Sequence, residues 1–143
     1  MTGDHLPDHL ERYACDVRDL LGLNDWTITI KLVDEIDHDP TTGGQCSYLE
    51  PYRIAKIIIR RDATDEKMRE HIMHELLHAA LAPMDYAAQT AVDLVPKPQR
   101  KVAKQMIYDG CERAVGALAK ALVRGVRPPA EDAPRTPCTS VLQ

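Results

Sequence analysis

The chain has 143 residues, of which 44% are hydrophobic and 28% charged, and it carries a net charge of −4 at pH 7. That length fits one domain able to bury a core, and the charge balance excludes the basic surplus of a general polyanion binder. No apolar run is long enough to span a bilayer, and the acidic start, Met1-Thr2-Gly3-Asp4, has no signal-peptide core, so the expected location is the cytoplasm.

Leu10, Tyr13, Ala14, Val17, Leu20 and Leu21 recur at helical spacing, which predicts an amphipathic helix over about residues 7–21, ended by Gly22 and Asn24. Trp26, Ile28, Ile30 and Leu32 then alternate with Thr27, Thr29 and Lys31, the pattern of a strand with one buried face. Residues 34–44 read as a loop, with Pro40, Gly43 and Gly44 near its end. Cys46 to Leu49 predicts a short strand, Pro51-Tyr52 a turn, and Ile54 to Arg60 a strand whose Ile57-Ile58-Ile59 run suggests burial on both faces.

A helix is expected over about residues 64–82, with Thr64 as N-cap, Asp65 and Glu66 in its first turn, and Pro83 as its stop. Residues 83–97 hold three prolines and read as a loop with a short helix near Tyr86 to Val92. A long helix follows over about residues 98–124, with Pro98 in its first turn and Ile107, Cys111, Ala114, Val115, Leu118 and Leu122 as its apolar positions. Residues 1–126 thus form one domain and 127–143 a Pro-rich tail expected to be disordered. Cys15, Cys46, Cys111 and Cys138 are scattered without a Cys-x-x-Cys pair and read as reduced thiols.

The second helix contains His74-Glu75-Leu76-Leu77-His78. At 3.6 residues per turn, His74 and His78 share a face and can hold one Zn²⁺, while Glu75 can reach water on the metal as a general base. Chance alone produces this pattern in roughly one chain in a hundred of this composition, so context matters. The surrounding run is apolar, and a His-Glu-His set is costly to bury there without partners. His71, three residues earlier, reads as a partly exposed helix residue, with a supporting or substrate contact as the sharper alternative.

Catalytic zinc normally takes three protein ligands and leaves one position open. No His follows His78, and Leu81 and Met84 stand where an extended motif would place Gly and a third His. Glu112 is the one glutamate between the motif and the tail, on the flank of the apolar stripe of the long helix. It is the candidate third ligand, weighed against a glutamate paired with Arg113 or Lys101.

A His-Glu-x-x-His helix followed by a glutamate on a later helix resembles the gluzincin branch of the zincin metallopeptidases. In small size and in having strands before the motif helix, the chain is similar to the minimal zincins of phages and bacteria and, more loosely, to SprT-like domains. The resemblance spans about residues 26–124 and implies an α+β fold: a small, mostly antiparallel sheet with an N-terminal helix, an active-site helix and a long C-terminal helix. It implies His74, His78 and Glu112 as zinc ligands, Glu75 as base, and a peptide or protein substrate. Tyr108 or Tyr86 would steady the oxyanion, with core or rim packing as the plainer role, and Asp109 would accept a ligand imidazole N–H. Substrate in zincins often pairs with an edge strand, here Gln45 to Leu49 or Ile54 to Arg60. Gly43-Gly44 reads more simply as a turn.

Two rivals stand beside this reading. Gly44-Gln45-Cys46-Ser47 ahead of the motif is similar to peptide deformylase, which would make Cys46 the third ligand. A catalytically silent zincin-like binding or regulatory module is the other. Lys97, Arg100, Lys101 and Lys104, and later Arg124, Arg127 and Arg135, read as solvated or helix-end charge, so neither a nucleic-acid nor a membrane partner is expected.

Overall fold

The computed structural model describes residues 3–126. The expected tail, 127–143, lies outside the described residues. Three strands and three helices follow in the order α1 (Asp8–Leu20), β1 (Thr27–Val33), β2 (Gly44–Leu49), β3 (Ile54–Arg60), α2 (Asp65–Ala91) and α3 (Arg100–Gly125), with short 3-10 turns at Glu50–Tyr52, Val92–Leu94 and Lys97–Gln99. The class is α+β, and no described helix is long and apolar enough to cross a membrane.

The sheet is mixed, in the order β1-β3-β2. β3 pairs parallel with β1, Ile57 opposite Ile30, and antiparallel with β2, Ile57 opposite Cys46. This corrects the expectation of a mostly antiparallel sheet. The segment between β1 and β2 carries the chain to the far edge of the sheet, and β3 returns through the turn at Glu50–Tyr52 into the space between them. Pairing is a long-range outcome that strand periodicity does not encode.

One face of the sheet is buried. Ile28, Ile30 and Leu32 of β1 and Ala55, Ile57 and Ile59 of β3 join a core with Leu10, Tyr13 and Val17 of α1 and Ile72, Met73 and Leu76 of α2. The other face carries Thr27, Lys31 and Lys56 in the open, and Ile58 is only half-buried. Burial of β3 on both faces is therefore not realised, because the core helices cover one face alone. Ile36, in the polar segment after β1, is fully buried.

α2 begins as expected: Thr64 accepts a hydrogen bond from the Lys67 N–H at 3.4 Å. It does not stop at Pro83, which lies inside a helix of 27 residues. A proline removes one helical hydrogen bond, at a typical cost of about 3 kcal/mol. Residues on both sides are held: Ala79 and Ala82 are buried before it and Val92 after it, and the Tyr48 hydroxyl of β2 donates to the Asp85 carboxylate. Packing outweighs the local penalty. The loop predicted over 83–97 is thereby shortened to the turns at its end.

α3 starts after Pro98, which sits in the preceding 3-10 turn. Its fully buried positions are Val115 and Ala119, while Leu118 is exposed. The inward stripe runs 107, 111, 115, 119 and 122, turned by a residue from the predicted one. Arg100 of the basic cluster is tied to the carbonyls of Asp93 and Val95, a structural use of its charge. Cys46 and Cys111 are free thiols, as expected; Cys15 is disulfide-bonded, which corrects the reading of all four cysteines as thiols.

Candidate metal centre

α2, α3 and β2 enclose a cleft of about 730 Å³. Successive turns of α2 present His71, His74, Glu75, His78, Asp85 and Gln89 to it, because positions three, four or seven apart share a helical face. α3 answers with Tyr108, Glu112 and Lys120, and β2 with its inward alternation Gly44, Cys46 and Tyr48.

In the middle of the cleft, His74, His78 and Glu112 offer donor atoms within 4.8 Å of one another. His74 Nε2 lies 3.2 Å from His78 Nε2 and 3.5 Å from Glu112 Oε2, and His78 Nε2 lies 3.1 Å from Glu112 Oε1. A tetrahedral ion with bonds of about 2.0–2.1 Å separates its ligand atoms by about 3.3–3.4 Å. The three donor atoms already stand close to three corners of such a tetrahedron. This group can hold a metal ion.

No family model, no curated protein and no solved structure matches this chain.

Glu75 lines the same cleft, on the residue after His74. It is 5% exposed, the one ionisable acid or base in the buried set among the described residues apart from tyrosine. Burial raises its pKa to about 8, the nearby Glu112 charge adds to this, and the Cys46 backbone N–H, bonding the carboxylate, opposes it. Burial lowers the pKa of His78, which favours the neutral imidazole a metal requires.

Cys46 contributes its backbone N–H to Glu75 and is not in the converging group. Its thiol lies in the cleft wall, with its pKa raised to about 12 by burial and then by the Glu75 charge. The deformylase-like ligand set is thus not assembled. Tyr108 lines the cleft one turn before Glu112 and is 59% exposed; Tyr86 is exposed and outside the lining. Asp109 faces solvent and accepts the Gln105 amide at 2.8 Å, so it does not buttress a ligand imidazole, a correction that follows from its lying two positions from the inward stripe, on the outer side of α3.

Gly43 and Gly44 are more than a turn. A Cβ on Gly44 would stand 2.9 Å from Glu75 Oε1 and 3.0 Å from Ile59 Cδ1, and one on Gly43 would stand 2.1 Å from the His71 ring. The backbone of β2 approaches the motif helix only because these side chains are missing. Gly44→Ala is expected to cost about 1–3 kcal/mol, read as a lower urea midpoint, with Glu75 displaced. An unchanged midpoint would show that the strand yields freely.

Tyr48, Asp85 and Gln89 were not among the sequence candidates. The signal existed: Asp85 is seven residues after His78 and Gln89 four further on, on the same face of α2. Taking Pro83 as the end of the helix hid it.

One pH dependence follows for protein stripped of metal by a chelator. Between about pH 4.5 and pH 8 the unfolded chain has released the Glu75 proton while the folded chain still holds it. The folded state then binds more protons, so this contribution to stability falls as pH rises and levels off above about pH 8. Comparing urea midpoints of metal-free wild type and Glu75→Gln from pH 5 to 8 isolates it: the wild type loses ground as pH rises. Parallel curves would contradict the assigned burial.

Proposed function

We propose that the protein is a zinc-dependent peptidase of the zincin kind, with His74, His78 and Glu112 as ligands and Glu75 as general base. The observation that carries this reading is the spacing of 3.1–3.5 Å among the three donor side chains, beside a buried carboxylate on the same helical turn. Two imidazoles and one carboxylate suit zinc and leave a fourth position free. When bound, zinc would supply a Lewis acid that acidifies water and polarises a carbonyl.

The residues of the chain supply the rest. Glu75, kept protonated to unusually high pH by its dry surroundings, ionises more readily beside a cation and can then take a proton from water and pass it to the leaving amine. The Cys46 N–H holds that carboxylate in place. Tyr108, on the rim next to Glu112, is the candidate donor to the carbonyl oxygen. β2 is an outer strand of the sheet and lines the cleft, so an extended peptide pairing with it would pass the metal centre. β3, the other candidate edge, is central and already paired on both sides.

The test is hydrolysis of a mixed pool of short unstructured peptides by zinc-loaded protein, followed by mass spectrometry. Cleavage is expected to stop on chelation and return with zinc. Zinc-loaded protein that leaves the whole pool intact would favour a silent binding module.

A further inference from the structure

The acidic and basic side chains lining the cleft are unequal: five carboxyl groups, Asp37, Glu70, Glu75, Asp85 and Glu112, face one lysine, Lys120. Four of the five are accounted for. Glu112 and Glu75 belong to the metal centre. Glu70 is paired with Lys67 at 2.9 Å, and Asp37 accepts the Gln45 amide at 3.1 Å. Asp85 remains. Its Oδ2 accepts the Tyr48 hydroxyl, which fixes the carboxylate in the cleft wall; no described Lys, Arg or His forms a close ion pair with it, and its charge reaches His78 only through space.

Asp85 lies seven residues beyond His78, about 10.5 Å along the helix axis. That is about one Debye length, so solvent ions screen much of the metal's charge from Asp85 and leave its own charge available to a substrate. It is about three residues away along an extended peptide whose carbonyl is at the metal. Gln89, one turn further, offers an amide oxygen, and Tyr108 on the facing helix lines the same cleft with its ring more than half exposed. A fixed carboxylate, an amide acceptor and an open aromatic face together suit a long aliphatic stem ending in a cation.

We propose that Asp85 is the specificity-determining residue of the cleft and that the preferred substrate carries a lysine or arginine within about three residues of the scissile bond. This rests on the peptidase reading above and names its substrate class. Tyr48 acts as a positioning residue that holds Asp85 toward the peptide.

The experiment uses the zinc-loaded full chain carrying Glu75→Gln, so that binding is measured without turnover. The probes are capped, fluorescent alanine-glycine hexapeptides identical except for one residue: lysine, arginine, norleucine or glutamate. Fluorescence anisotropy is expected to show lysine and arginine peptides binding roughly tenfold more tightly than norleucine, the order of a hydrogen bond to a charged group. Adding Asp85→Asn, which still accepts the Tyr48 hydroxyl, is expected to bring lysine within about twofold of norleucine by the same reasoning. Asp85→Lys is expected to turn the preference toward glutamate, a change of sign that poor folding does not mimic. Equal binding of lysine, norleucine and glutamate peptides to the parent, or a lysine preference that survives Asp85→Asn, would overturn the proposal. Cleavage by protein with Glu75 intact is scored separately. Lysine preference without cleavage would remove the peptidase reading and keep the cationic subsite; cleavage without preference would do the reverse.

Discussion

Replacing Glu112 by alanine is expected to weaken zinc binding by more than about 100-fold, because even partners that only orient a metal ligand are worth about 10–100-fold when lost. Glu112 stands 3.1 Å from one ligand imidazole and 3.5 Å from the other, so its removal leaves two of three protein donors. The fold should survive. Glu112 is half-buried on the flank of α3, and the helix is anchored by Val115 and Ala119 rather than by this side chain. Metal content by mass spectrometry on variant and wild type, with circular dichroism as a check on folding, reads the result. Cys46→Ser is the companion variant and should keep the metal, since the Cys46 thiol is not among the converging donors. Zinc retained by Glu112→Ala and lost by Cys46→Ser would reverse the ligand assignment and revive the deformylase-like set.

Glu75→Gln should bind zinc as the wild type does and lose hydrolysis by about 10²–10⁴-fold, the usual contribution of a positioned base. The substitution keeps the shape that packs against Gly44, and the amide oxygen can still accept the Cys46 N–H. What it removes is a group able to take a proton. Steady-state rates on a peptide from the cleavage pool, with zinc content measured on the same samples, separate base from ligand. Unchanged turnover at equal zinc would end the general-base assignment. Lost turnover with lost zinc would make Glu75 a structural support of the site.

These two predictions draw on different ranges of information. His74, Glu75 and His78 lie within five residues, and the helix that carries them is set by local periodicity and by Thr64 at its start. Their common face follows from 3.6 residues per turn and was legible in the sequence. Glu112 was reached partly by elimination, since the chain between the motif and residue 126 holds no other glutamate and no histidine. Its distance from the imidazoles required the antiparallel packing of α3 on α2.

The sequence by itself determined the existence and order of the helices and strands and where the ligand pair sits, because these depend on neighbours within one or two turns. Only the tertiary structure decided the rest. β1 lies parallel to β3 because the segment after β1 crosses to the far edge of the sheet. α2 runs through Pro83 because packing on both sides outweighs one lost hydrogen bond. Gly44 touches Glu75, Tyr48 reaches Asp85, and Glu112 meets two imidazoles 34 and 38 residues earlier in the chain. Such contacts join residues far apart in sequence, and their free energy comes from burial shared across elements, which no local pattern records.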